Sequence, residues 1–216
     1  MIKIENVDTY GWDAAIRGMR NPMNSWDKSD SGWDGYGECY GYSIGKADLT
    51  LMRSLVRAGS DHRKFLRQVF VSMDITAPLY WWKEFDTYKV GTVANSCSTM
   101  HKIHDRDLTL GDFSCEHLDA WGLVTLGNTI RTLNLDRDMY VHYDDKNGMK
   151  TDRKEYWYQM IQLLPSSYNQ RRTVTMNYEV LLNMYHARKD HKLDEWRIFC
   201  ETIVDMPYFR EVCIDE

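Results

Sequence analysis

Apolar and polar positions alternate or recur in a pattern that sets out a mixed chain. Ile2 to Val7 alternates as a first strand, and Trp12 to Met19 has helical spacing. From Asp48 to Ala58 the apolar residues Leu49, Leu51, Met52, Leu55 and Val56 form one helical stripe, and Gly59 stands just past its end as a stop. Gln68 to Thr76 sets Val69, Val71, Met73 and Ile75 against polar partners, apart from Phe70, which predicts a half-buried strand. Ala77-Pro78 opens a helix running through Phe85, because proline suits a first helical turn. Leu118 to Leu133 and Lys154 to Leu164 are further helices, with a turn at Asp144-Asp145-Lys146-Asn147-Gly148 between them. Leu164-Pro165 ends the second of these. Asn177 begins another helix, with Leu181, Leu182, Met184 and Tyr185 at helical spacing, and Asp194 to Val204 is the last.

Asn21 to Gly45 fits none of these patterns. It is rich in Gly, Asp, Ser and aromatics and reads as a surface loop with turns, or as a mobile lid. Its glycines match neither G-x-G-x-x-G nor the GK[ST] phosphate loop. There is no internal repeat, low-complexity tract or linker, so the prediction is a single α+β domain over residues 1–216, a mixed sheet flanked by helices.

Composition narrows the function classes. The net charge is −5 with both signs interspersed, without the basic face of a nucleic-acid binder. No apolar run approaches the roughly 20 residues a bilayer demands, so no membrane role is expected. Met1-Ile2-Lys3-Ile4-Glu5 lacks a signal-peptide core. The 5 cysteines are odd in number and lack CxxC spacing, which suits free thiols in a reduced, cytoplasmic setting. The 8 Trp and 14 Tyr supply a large aromatic core and interface, or stacking surfaces for flat rings.

Three groups carry possible chemistry. Cys97, His101 and His104 have spacing that would place metal ligands on successive helical turns, but nothing in the chain supplies an obvious fourth, and no metal is assigned. Cys97 as a nucleophile needs a lowered pKa and a nearby base; the alternative is a buried structural thiol. Ser98 has no Ser/His/Asp ordering behind it.

The run Thr175 to Asp190 is the most specific. It resembles the C-terminal helix of flavin-dependent thymidylate synthases, T-x-N-A-R-S-L-x-N-F-L-x-L-R followed by an acid, with matches at Thr175, Asn177, Leu181, Asn183, Arg188 and Asp190. A second stretch is similar to the same family. A helix ending at Gly59, then Phe65, a strand, Ala77-Pro78 and a helix lead into the signature R-H-R-x7-S, and Asn95 and Ser98 match the Asn and Ser of its version N-E-x-S. The departures are large. R-H-R falls on Tyr88-Lys89-Val90, or on Thr87-Tyr88-Lys89 with a one-residue insertion. Ser96 replaces a Glu, Met100-His101 an Arg-Tyr, Arg67 an early His, and Glu179 the first Arg of the last helix. A phosphate-contacting Arg becomes Ile161 or Gln162.

The resemblance implies a homotetramer whose active sites are each built from several subunits. It implies FAD as cofactor, with NADPH and methylenetetrahydrofolate as cosubstrates, and one-carbon transfer to C5 of a pyrimidine deoxynucleotide such as dUMP. By that resemblance Arg188, Ser98 and Ser96 bind substrate, and Asn177, Asn183, Lys89, Tyr88, Asn95 and Arg67 bind the cofactor. A guanidinium clamps phosphate through two parallel bonds whereas Lys is a point charge, and Glu179 repels a nearby phosphate. Arg63, Arg67, Lys102, Arg171 and Arg172 are the cations available to compensate. The alternative is a non-catalytic nucleotide-binding or structural homolog that has lost the flavin site.

Overall fold

A computed structural model of the chain describes residues 1–35, 41–142 and 152–215. The turn expected at Asp144 to Gly148 and the middle of the Asn21 to Gly45 segment lie outside them. The strands are β1 (Lys3–Tyr10), β2 (Gly32–Asp34), β3 (Gly41–Ser43), β4 (Phe70–Pro78), β5 (Val93–Ser96) and β6 (Asn169–Asn177). The helices are α1 (Trp12–Arg20), α2 (Lys46–Arg57), α3 (Leu79–Phe85), α4 (Thr99–Lys102), α5 (Ala120–Val141), α6 (Arg153–Leu163), α7 (Tyr178–Arg188), α8 (Asp194–Val204) and α9 (Phe209–Cys213). A four-stranded sheet has the order β1-β4-β6-β5, and β2 and β3 form an antiparallel hairpin. This is an α+β arrangement.

Period-two alternation sets β4: Val71, Met73, Ile75 and Ala77 are buried and Phe70, Ser72, Asp74 and Thr76 are not. The strand begins at Phe70 rather than Gln68 because Arg63–Gln68 winds into a 3-10 turn that buries Phe65 and Leu66. Pro78 is the last strand residue and the N-cap of α3, so the proline precedes the helix instead of lying in its first turn. The helix expected to stop at Leu133 runs to Val141. Its continuation is polar because Asn134 faces inward, accepting from the backbone N–H of Leu108 at 2.8 Å and donating to its carbonyl at 3.0 Å. β6 is a strand the periodicity hides. Its first half, Asn169 to Arg172, is polar on both faces, and only Val174 and Met176 are buried.

The described chain divides into two compact units. The first comprises Met1–Lys3, Ile75–Thr87 and Asn95–Arg172. There α5 packs on α6 around Leu126, Ile130, Leu133 and Met160, and Trp81, Trp82 and Phe85 of α3 form a buried aromatic cluster. The second comprises Ile4–Asp74, Tyr88–Ala94 and Thr173–Glu216. Its core gathers Met52, Leu66, Tyr178, Leu181, Trp196 and Phe209, all fully buried. The segment after α1 is ordered by one carboxylate. Asp48 accepts from Arg20 Nε at 2.6 Å, from the Ser29 and Ser31 hydroxyls at 2.7 Å each, and from the Asp30 N–H at 3.1 Å. Burial raises the Asp48 carboxyl, but these hydrogen bonds outweigh it and leave it below its ordinary value. Among the described residues no helix is long and apolar enough to cross a membrane.

Candidate active-site elements

Helix α7 places the residues of the C-terminal motif. Asn177 is its N-cap: Oδ1 accepts from the Val180 N–H at 3.0 Å, which satisfies an otherwise orphaned donor. The turn after Tyr88 runs against this helix start. Gly91 has φ +76°, and a Cβ there would lie 3.0 Å from Val180 Cγ2 and 3.3 Å from Asn177 Nδ2, so glycine fits both the backbone and the space.

Glu179 and Asn183 lie one turn apart on one face of α7. Glu179 is not a bare negative charge. Arg63 donates to it from Nε at 3.0 and 3.2 Å and from Nη2 at 3.2 Å, and Nη2 also reaches Asn183 Oδ1 at 3.4 Å. The repulsion of phosphate expected from Glu179 is therefore answered by a guanidinium delivered from the turn before β4. His186 lies on the same face. Burial first, then Arg63 and Lys189, hold its imidazole below the ordinary value, toward the neutral form.

Arg188 occupies a different side of the helix, about 140° around from Asn183 at 100° per residue. Its Nε donates to Tyr88 Oη at 2.9 Å, and its guanidinium lies over the rings of Trp196 at 4.8 Å and Tyr88 at 5.6 Å. Tyr88 and Trp196 both come from other segments of the chain. Lys89 and Arg67 are exposed.

In the first unit, β5 leads into α4. Asn95 and Ser96 are exposed strand residues, and Ser98 is the N-cap of α4, its Oγ accepting from the His101 N–H at 3.2 Å. Gln170 of β6 fixes this corner: its Nε2 donates to the Cys97 carbonyl at 2.9 Å and to Thr99 Oγ1 at 3.1 Å. The Cys97 N–H donates to the Arg171 carbonyl at 2.9 Å. A cavity of about 280 Å³ opens here, lined by Cys97, Ser98, Thr99 and the cationic side chains of Lys102, Arg106 and Arg171. Asp112 lines it as well and pairs with Arg106 through both carboxylate oxygens. The adjacent arginines of β6 separate by strand alternation. Arg171 lines the cavity, whereas Arg172 is spent on structure, bonded to Asp86 at 2.7 Å and stacked on Trp82 at 4.2 Å.

Two readings weighed from the sequence, a helical metal-ligand spacing to which no metal was assigned and a buried Cys97, do not match the geometry. Cys97, His101 and His104 do not lie on successive helical turns, because α4 covers only Thr99–Lys102; among the described residues no His, Cys, Asp or Glu group could hold a metal ion. Cys97 is exposed rather than buried. Sequence reasoning also missed Gln170, Arg106 and Trp196. Reading Val174 and Met176 as one face of a strand would have exposed Gln170 and Arg171 as its edge residues.

The fold is that of the flavin-dependent thymidylate synthases. Thymidylate Synthase X (ThyX) from Helicobacter pylori, in a crystal structure with FAD and dUMP, superposes with a TM-score of 0.66 at 16% identity, covering 100% of this chain and 98% of that one. A second structure of the flavin-dependent ThyX from Helicobacter pylori, complexed with FAD and dUMP, gives 0.64 at 16% identity over 98% of this chain and 99% of that one. The UMP/dUMP methylase PolB from Streptomyces cacaoi, bound with 5-Br dUMP, gives 0.57 at 16% identity over 94% and 88%. No protein-family model and no curated protein matches the chain by sequence.

Proposed function

We propose that the chain is a pyrimidine-nucleotide methylase-type enzyme that transfers one carbon, with flavin, to C5 of a deoxynucleotide such as dUMP. The observation that carries the proposal is the cationic cavity at the start of α4. Ser98 and Thr99 line it together with Lys102, Arg106 and Arg171, three cations against the single carboxylate of Asp112, with Lys102 paired to Asp105 and Arg106 to Asp112, in the fold of proteins crystallised with dUMP or 5-Br dUMP. A hydroxyl-and-cation lining suits a phosphate, which needs donors and positive charge. Ser96 and Ser98 take the phosphate and Arg188 polarises the pyrimidine ring or the flavin edge. In a homotetramer whose sites are shared among copies, these residues need not come from one chain.

The donor set suits a flavin ring better than its diphosphate. Asn183 offers an exposed amide beside the Arg63 guanidinium, a pair of donors for ring carbonyls. Asn177 caps α7 through its oxygen and keeps its amide nitrogen toward the Gly91 turn. For the diphosphate the chain offers the exposed side chains of Lys89, Arg67 and Asn95, one point charge, one guanidinium and one amide in place of the two arginines of R-H-R, and Tyr88 Oη is bonded to Arg188. FAD therefore binds more weakly than to an intact R-H-R. When bound it supplies the hydride chemistry, with NADPH and methylenetetrahydrofolate as cosubstrates. The test is calorimetric titration of dUMP into wild type and into Arg171→Met and Ser98→Ala. Binding that falls at least tenfold in both variants supports the proposal; unchanged binding in both removes it.

A further inference from the structure

A second cavity, of about 500 Å³, lies in the second unit where the start of α1 meets the β2–β3 hairpin and the residues before α9. Five aromatic side chains line it: Tyr10, Trp12, Trp33, Tyr42 and Tyr208. Trp33 and Tyr42 are direct cross-strand partners in the hairpin, their rings 5.4 Å apart and 84° to one another. Trp12 and Tyr208 form a second corner, at 5.5 Å and 76°. Perpendicular rings present a face on one side and an edge on the other, so the two corners set aromatic faces at an angle around a common space. Tyr208 is held there at φ +58°, a left-handed backbone that a bulky residue seldom adopts, with its hydroxyl accepting from the Ile44 N–H at 3.2 Å.

The described lining residues carry a carboxylate and no cation: Asp13 is the only ionic side chain among them. Arg17 bonds both oxygens of Asp13, at 2.7 and 2.8 Å, from outside the lining. The Tyr42 phenol senses the balance: it is held above its ordinary value by burial first, then by the carboxylates of Asp13 and Asp48, against a smaller opposite pull from Arg17. Aromatic faces with a carboxylate at the rim and no lining cation attract a positive group that is weakly hydrated. They disfavour an anion.

We infer that this cavity is an aromatic cage for a methylated ammonium group, either on a free small molecule or on a modified lysine side chain. The Asn21 to Gly45 segment, which the flavin-related residues do not use, thereby acquires a role, since its hairpin carries two of the cage walls. A neutral sugar or a proline-rich strand would use the same rings without the charge, and the experiment separates them.

The full chain is titrated by calorimetry with choline, with a short trimethyllysine peptide, and with 3,3-dimethylbutan-1-ol, the uncharged carbon isostere of choline. Binding of choline or the peptide that exceeds the isostere about tenfold supports the cage, the charge being what cation–π attraction requires. The tighter of the two charged probes identifies the source. Trp33→Leu removes a wall at a residue that is 60% exposed, and melting shows whether the fold is kept. That variant loses the binding, and Asp13→Asn weakens it several-fold. Equal binding of the isostere overturns the inference. So does binding of both charged probes weaker than about 10 mM, below any affinity that distinguishes a site from bulk solvent, or retention of full affinity in Trp33→Leu.

Discussion

Arg63→Met cuts the cation away from Glu179 and leaves the carboxylate stranded. The pair is nearly enclosed, with side-chain exposure of 18% for Arg63 and 10% for Glu179. An exposed ion pair contributes about 0–1 kcal/mol, whereas breaking a buried one by removing a single partner costs about 3–5 kcal/mol. This pair lies near the buried limit without reaching it, and the three hydrogen bonds to Glu179 vanish together. The expected loss is about 2–4 kcal/mol, which for a chain of this size lowers the melting temperature by roughly 5–15 °C. The partner variant Glu179→Met strands the guanidinium less severely, since Arg63 keeps Asn183 and is closer to solvent. The double variant Arg63→Met/Glu179→Met leaves no orphaned charge and should recover to within about 1 kcal/mol of wild type. Urea unfolding of the four proteins in a double-mutant cycle is the assay, with no nucleotide present. Single variants that lose less than about 0.5 kcal/mol, or a double variant whose loss equals the sum of the singles, would refute the picture of an enclosed, mutually dependent pair.

Other outcomes follow from the same geometry. The folded-state pKa of Asp48 is depressed, so its contribution is present above the unfolded carboxyl pKa of about 3.9 and fades as pH falls through the lower folded value; unfolding at pH 3 against pH 6 should show a loss that is smaller in Asp48→Asn, the remainder coming from Asp105, Asp112 and Glu116, which are depressed as well. Arg188→Lys gives up the bond to Tyr88 and the flat stacking on Trp196, so it should cost about 1–2 kcal/mol by thermal melting and weaken dUMP binding besides; a variant that melts like wild type shows that Lys serves equally well there. Burial pushes the Cys200 thiol up to about 11 and the Cys213 thiol up to about 12, so at pH 8 iodoacetamide should modify the exposed Cys97 well before either, with peptide mass mapping as the readout.

Elements with a clean apolar period were legible in the sequence: α1, α2, β4 and α8 fall within two residues of their predicted ends, and α7 begins one residue after its predicted start. What was hidden is where polar side chains serve the interior. Asn134 ties α5 to the Leu108 backbone, so the second half of that helix reads as surface. Gln170 ties β6 to the Cys97 corner, so that strand reads as loop. The stretch Ser29 to Ser31 has no apolar period because it is held by one carboxylate, Asp48, shared with an arginine distant in sequence. The motif on α7 was legible as residue types but not as partnerships. Nothing in the spacing of Arg63 and Glu179, or of Tyr88 and Arg188, announces that they meet, because those contacts join segments far apart in the chain.

The central claim is chemistry at C5 of a pyrimidine deoxynucleotide, and tritium release measures it most directly. The purified chain is incubated with dUMP labelled with tritium at C5, FAD, NADPH and methylenetetrahydrofolate. A carbon added at C5 must displace the hydrogen there, so turnover releases tritium to water. The prediction is release that depends on the chain, on FAD and on the folate, and that falls in Arg171→Met. Absence of release from a chain that also fails to bind dUMP by calorimetry would contradict the account and leave only the fold in common with the thymidylate synthases.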